Sequence, residues 1–323
     1  MAGQGALDTC GCGAAISGHA KRQSKAPMLS PTLSGRPPVY VLLHVPKCAG
    51  QTLSRHLAAH MRPETLGIAG GRTQARALLR TLTCEPEAAL AMRALTGHSI
   101  SVAHERALGD APLRRTILLR DPVGQFISLY NLQSARYVLR GQAPLTPEQS
   151  FAALPQNPIA TLILRHYLGY PWPQLAVMSL PAQACIVNQA LASFWFVGAY
   201  RECGRLLAAI APDLGIPPEA PPHNTAQDWH ARAHHPLLTA QSLAPALRAR
   251  ILVQNQLDAY LFETWAPLAG APPAEFVPPP FQVRPGAPSF VQIEAGRLFG
   301  SWQRKLQRNA PLEPVFVRKK TLR

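Results

Sequence analysis

The sequence predicts an α/β fold with a mostly parallel sheet and helices on both of its faces. Three observations lead there. Short apolar runs, Val39–Leu43 and residues 116–119 and 194–197, have the length and composition of strands buried on both sides. Segments of helical pattern alternate with them, the rhythm of βαβ units. The first two runs lead through Pro- and Gly-containing loops into helices. Polar, chemistry-bearing residues therefore gather beyond the strand C-termini, where such sheets bind ligands.

Each element follows in order. Residues 1–38 are rich in Gly, Ser and Pro, carry Lys21-Arg22, and read as a flexible tail. Strand Val39–Leu43 passes through a loop bearing Lys47, Gly50 and Thr52 into a helix over residues 52–61, with Leu53 and Leu57 on one face. Residues 62–83 have no firm assignment, although 72–82 fit a helix. Glu85-Pro86 opens a helix over 86–94, and a short strand over 95–97 delivers His98. Strand Leu113–Leu119 leads to helix Pro122–Leu139, with Pro122 in its first turn and Asp121 as cap. Residues 147–190 are helical, interrupted at Pro155, Pro158, Pro171, Pro173 and Pro181. His166, Tyr167, Tyr170 and Trp172 in this stretch read as packing residues. A strand over 194–197 and an amphipathic helix over 201–210 follow. Residues 217–235 form a Pro- and His-rich loop, and 243–265 one long helix. Residues 267–288 are Pro-rich and extended, and 297–306 form a basic helical segment. The expected organisation is a tail (1–38), one domain (39–265) and a Pro-rich basic extension (266–323), with no internal repeat.

Charge narrows the function classes. The 323 residues hold 32 Lys or Arg against 17 Asp or Glu, a formal net charge of +15. Residues 1–38 carry four basic and one acidic residue, and 266–323 carry nine and three, which leaves 19 and 13 between them. Most of the excess lies in the terminal segments. That distribution argues against a nucleic-acid-binding domain and suits an anionic ligand in the middle. The six cysteines (Cys10, Cys12, Cys48, Cys84, Cys185, Cys203) form no C-x-x-C pair, and the histidines of 217–235 lack H-E-x-x-H spacing. No metal site is expected, and the thiols read as reduced. No transmembrane segment or signal peptide stands out. The expected location is the cytoplasm, with peripheral membrane association left open. Oligomeric state is not readable.

Two motifs carry chemistry. In His44-Val-Pro-Lys-Cys-Ala-Gly-Gln-Thr-Leu53 a strand delivers Lys47 and Thr52 to a helix N-terminus, where free N–H groups and the helix dipole favour an anion. It is not the G-x-x-x-x-G-K-[ST] nucleotide loop, in which lysine and hydroxyl are adjacent. In Leu119-Arg-Asp-Pro-Val-Gly-Gln-Phe-Ile-Ser-Leu-Tyr130 a second strand ends in Arg120, able to fork onto a phosphate, with Ser128 about two turns into the next helix.

In this order the two motifs resemble the 5′-phosphosulfate loop and the 3′-phosphate motif of the family-2 carbohydrate sulfotransferases. Thr96-Gly-His98, Phe196-Val-Gly198 and Leu257-Asp-Ala-Tyr-Leu-Phe262 are similar to later family motifs, so the resemblance spans residues 39–265. Cys48 and Gln51 stand where the family has Thr, Gln125 stands where it has Arg, and its Glu-Arg-Phe run after Phe196-Val-Gly198 is missing. The resemblance implies a P-loop-like three-layer fold. It also implies sulfuryl transfer from 3′-phosphoadenosine 5′-phosphosulfate, without metal, to a hydroxyl or amine of a glycan, glycolipid or small metabolite. By the same resemblance Lys47, Cys48, Ala49, Gly50, Gln51 and Thr52 hold the 5′ end of the donor. Arg120 and Ser128 hold its 3′-phosphate, Lys47 neutralises charge during transfer, and His98 is the general base. His104 and Glu105 are alternative bases, and His44 is a strand-end residue. The absence of the N-terminal membrane helix of Golgi relatives points to a bacterial cytosolic member. A nucleotide-dependent kinase and a basic polyanion-binding protein with a decayed donor site are the competing classes.

Overall fold

A computed structural model describes residues 35–221 and 225–285. Cys10, Cys12, His223, the basic segment 297–306 and most of the expected tail lie outside the described residues. Among the described residues, those from Arg36 onward form one compact unit. Its five strands, β1 (Val39–Leu43), β2 (Leu66–Ile68), β3 (Ala94–Gly97), β4 (Leu113–Leu119) and β5 (Phe196–Ala199), form a sheet of order β2-β3-β1-β4-β5. Every named pair is parallel: Leu42 lies beside Thr96 on one side and beside Thr116 on the other. From central β1 the chain crosses to β2 and β3 on one side, then to β4 and β5 on the other. The crevice beyond the C-termini of β1 and β4 is thus a topological switch point.

Helices cover both faces. They are α1 (Gly50–His60), α2 (Arg72–Cys84), α3 (Pro86–Ala91), α4 (Val102–Arg106), α5 (Pro122–Leu139), α6 (Pro147–Ala152), α7 (Pro158–Thr161), α8 (Trp172–Val177), α9 (Leu180–Ala192), α10 (Cys203–Leu214), α11 (Ala226–Ala233), α12 (Pro245–Gln254) and α13 (Gln256–Trp265). Strand β1 shows why both faces must be covered. All five of its residues are buried, and its pleat divides them between two cores. Val39 and Val41 pack with Leu82, Leu95 and Ile100. Tyr40 and Leu42 join the larger cluster of Leu53, Leu57, Leu206 and Trp265. Each fully buried Leu contributes about 1.5–3 kcal/mol by leaving water, so alternate residues of one strand anchor both helical layers.

The structure departs from expectation in short elements and at one helix. Strand β2 is three residues long and lies in the unassigned stretch 62–83, too brief to show a period. The helix expected over 86–94 stops at Ala91, because Ala94 is already paired with Tyr40 in the sheet. The stretch 217–235 is not all loop. Thr225 and Asp228 form a reciprocal capping box that starts α11. The long helix over 243–265 is two helices broken at Asn255. The Asn255 side-chain amide donates to the carbonyl of Ile251 at 2.9 Å, and its oxygen accepts from the N–H of Asn157 at 2.7 Å. Asn157 answers by accepting from the N–H groups of Leu257 and Asp258, while the Asp258 carboxylate accepts from Ile159 and Ala160. Helices α7 and α13 therefore cap each other inside the protein. Residues beyond the expected domain edge also pack: Gly270 bridges Val197 on β5, and the ring of Phe276 lies 4.9 Å from that of Trp265.

Asp258 is fully buried, so removing its carboxylate orphans two interior N–H groups. Asp258→Ala should lower unfolding free energy by about 2–4 kcal/mol, read as a reduced urea midpoint.

Candidate functional site

The site is built on the β1–α1 loop, whose backbone is strained. Lys47 (φ 68°) and Ala49 (φ 61°) are both left-handed, which costs about 1–2 kcal/mol for each non-glycine residue. The conformation is held from outside. Arg120, just past β4, donates from an Nη to the carbonyl of Lys47 at 3.0 Å. Gln125, in the first turns of α5, donates from Nε2 to the carbonyl of Pro46 at 3.0 Å. Asp121 fixes the start of α5 by accepting from the N–H of Gly124 at 2.6 Å. Gly50 is required by close approach, because a Cβ there would lie 1.7 Å from Cδ2 of His44. Helix α1 thus begins at Gly50, with no side-chain cap and no acid in its first turn. Alternating left- and right-handed backbone at Ala49-Gly50 turns N–H groups toward one concavity, the arrangement called an anion nest.

A cavity of about 690 Å³ opens above this loop. Lys47, Ala49, Gly50, Gln51 and Thr52 line it from one side, Arg120 and Ser128 from another, and His98 from the end of β3. The expected residues therefore share one site, apart from the Cys48 side chain. Cys48 turns into the core and is 2 % exposed, and burial pushes its thiol pKa up rather than down. An activated thiol is thereby excluded, and Cys48 contributes backbone alone. Lining residues beyond the expected set include Arg136, Tyr200 and Asn131. Arg136 lies two turns beyond Ser128 on α5, and Tyr200 follows β5. Asn131, also on α5, makes reciprocal 2.9 Å hydrogen bonds with the backbone of Leu238 and so pins the segment 237–239 as the facing wall.

Electrostatics give the cavity its character. Among the described residues no Asp or Glu lines it, whereas Lys47, Arg120 and Arg136 all do. The ammonium of Lys47 is held below the ordinary lysine pKa, first by burial and then by Arg120 and Arg136, with Cys48 opposing. Like charges kept close in a half-buried cleft are relieved by an anion, which would restore the affinity of Lys47 for its proton.

The two histidines are set by backbone. Gly97 adopts φ 144°, and a Cβ there would lie 2.2 Å from the Ala69 carbonyl oxygen, so glycine is needed to turn the chain into His98. Nδ1 of His98 lies 2.6 Å from the carbonyl oxygen of His44. A carbonyl only accepts, so Nδ1 carries the hydrogen and Nε2 keeps its lone pair in the neutral ring. Burial lowers the pKa of His98. His44 stacks on it with ring centroids 3.8 Å apart, and burial, helped by His98 and Lys47, lowers its pKa to about 3. Both rings are thus biased to the neutral form at pH 7. The alternative bases fail on geometry. His104 is bonded to Ser101 and to the Ala75 carbonyl. Glu105 is buried and engaged by Arg115 and Tyr167. Neither lines the cavity.

Among the described residues no cluster of His, Cys, Asp or Glu is arranged to hold a metal, and no helix is long and apolar enough to cross a membrane.

Gly50→Ala must displace His44 or the loop and should weaken anion binding at least tenfold while leaving the sheet's circular dichroism intact. A pH prediction follows from the histidines. Their folded pKa values lie below the unfolded value of 6.5, so the unfolded chain binds more protons as the solution is acidified. The stability they contribute is complete above pH 6.5 and is lost between there and about pH 3 for His44. Urea midpoints should fall across this window, and less steeply in His44→Asn. No protein-family model matches this chain, and no curated protein matches it.

Proposed function

We propose that this protein is a sulfotransferase that takes 3′-phosphoadenosine 5′-phosphosulfate as donor. One observation carries the reading: cationic side chains from two separate strand ends, Lys47 after β1 and Arg120 after β4, enter a single cavity in which no described carboxylate competes. A ligand phosphorylated at both ends of a nucleoside matches that layout. The nest at Ala49-Gly50 and the uncapped start of α1 suit its 5′-phosphosulfate, and Arg120 with Ser128 suits its 3′-phosphate.

In this reading the chain's own residues do the chemistry. Lys47 neutralises charge that builds on the leaving phosphate as the sulfur–oxygen bond to it lengthens. His98 accepts the acceptor's proton at Nε2, the nitrogen its bond to His44 leaves unprotonated. The facing wall of residues 237–239, together with α5, borders the space for the acceptor. A hydroxylated compound, carbohydrate by the family resemblance, is the acceptor class we favour.

The test is a pair of titrations on the intact chain. Adenosine 3′,5′-bisphosphate should bind at least tenfold more tightly than adenosine 5′-phosphate, and Arg120→Ala should erase the difference. Equal, negligible binding of both nucleotides would refute the reading. Lys47→Ala should retain bisphosphate binding to within about tenfold yet slow transfer by about 10²–10³-fold, the scale typical of removing one transition-state donor.

A further inference from the structure

Arg120 serves two partners at once. One Nη is committed to the Lys47 carbonyl at 3.0 Å. Its Nε is buried, with no hydrogen-bond partner among the described residues. A buried donor left unpaired is costly and uncommon, and this one belongs to a side chain that lines the cavity. The guanidinium is held over a ring: its Cζ lies 4.1 Å from the centroid of Tyr200, well inside the range of a cation–π contact. Tyr200 itself is placed by β5, which pairs with β4 from Thr116–Phe196 to Leu119–Ala199. The exposed Arg201 also approaches this ring, with its Nε 3.4 Å from the Tyr200 hydroxyl. The Cζ of Arg201 also lies 5.7 Å from the ring centroid, so Arg120 at 4.1 Å holds the closer contact with the face.

These contacts form a chain of support. Strand β5 places the ring, the ring places the guanidinium, and the guanidinium holds Lys47 in a left-handed conformation it would otherwise leave. We infer that Tyr200 is the positioning residue of the site: its aromatic face orients Arg120 so that one Nη grips the Lys47 carbonyl while the side chain keeps its place in the cavity lining, where an anion would meet it. The inference rests on the sulfotransferase reading only for the identity of that anion. Tyr200 couples the two anion positions because both depend on one guanidinium.

The experiment compares wild type, Tyr200→Phe and Tyr200→Leu as full-length chains. Without any ligand, the ¹⁵N–¹H Nε resonance of Arg120, identified by its loss in Arg120→Lys, should show a ring-current shift in wild type and Tyr200→Phe that disappears in Tyr200→Leu. Exchange of the Cys48 amide, which donates to the Val45 carbonyl within the loop, should be several-fold faster in Tyr200→Leu alone. In titrations with adenosine 3′,5′-bisphosphate, Tyr200→Phe should stay within twofold of wild type and Tyr200→Leu should weaken by about fivefold, the scale of one cation–π contact. An unchanged Arg120 resonance and unchanged Cys48 exchange in Tyr200→Leu would overturn the proposal. So would a Tyr200→Phe variant as impaired as Tyr200→Leu, since the hydroxyl and Arg201 would then be the determinants. If all three proteins ignore the nucleotide while the resonance and exchange differences appear as expected, the positioning role stands and the donor assignment falls.

Discussion

The site depends on two hydrogen bonds that cross from one βα unit to the next. Arg120 and Gln125 donate to the consecutive carbonyls of Lys47 and Pro46. Each bond alone is worth about 1 kcal/mol in net terms. Together they oppose a loop strain of similar size at two left-handed residues. Without them the loop would relax, Lys47 would leave the cavity, and the N–H groups ahead of α1 would lose their common direction. The anion nest is therefore a property of two units packed side by side in the sheet, not of the loop sequence alone.

This explains why some of the molecule was readable from sequence and some was not. Strands β1 and β4 announce themselves as apolar runs because they are buried on both faces. The cap at Asp121 and the proline after it are local signals, and both appear where the local rules put them. Glycine at 50 and 97 was visible as part of a motif, but its reason was not. In each case a Cβ would strike a residue brought close by the fold, His44 or Ala69. Gln125 looked like a departure from a family pattern. Its amide instead reaches a backbone carbonyl 79 positions away in sequence, a role no local pattern encodes. Tyr200 carried no signal, since an aromatic residue after a strand is ordinarily packing. Arg136 did leave a faint one, eight residues past Ser128 on the same helix.

The long helix expected over 243–265 failed for a similar reason. Asparagine in mid-helix is only mildly unfavourable, and nothing nearby in sequence says that Asn255 has a partner at Asn157. The break exists because the two side chains exchange hydrogen bonds with each other's backbone segments, and Asp258 completes the closure. A buried carboxylate in such a place is tolerated because two N–H groups meet it, and its pKa is nevertheless raised by burial, to about 7.

Helix α5 deserves to be seen as a gauge. At one point along it Gln125 fastens the anion loop, and six residues later Asn131 fastens the opposite wall through Leu238. The rise of an α-helix fixes the separation of those two anchor points at about 9 Å along the axis. The loop and the segment at 237–239 are thus both referred to one helix, and any change in its straightness would be felt at both.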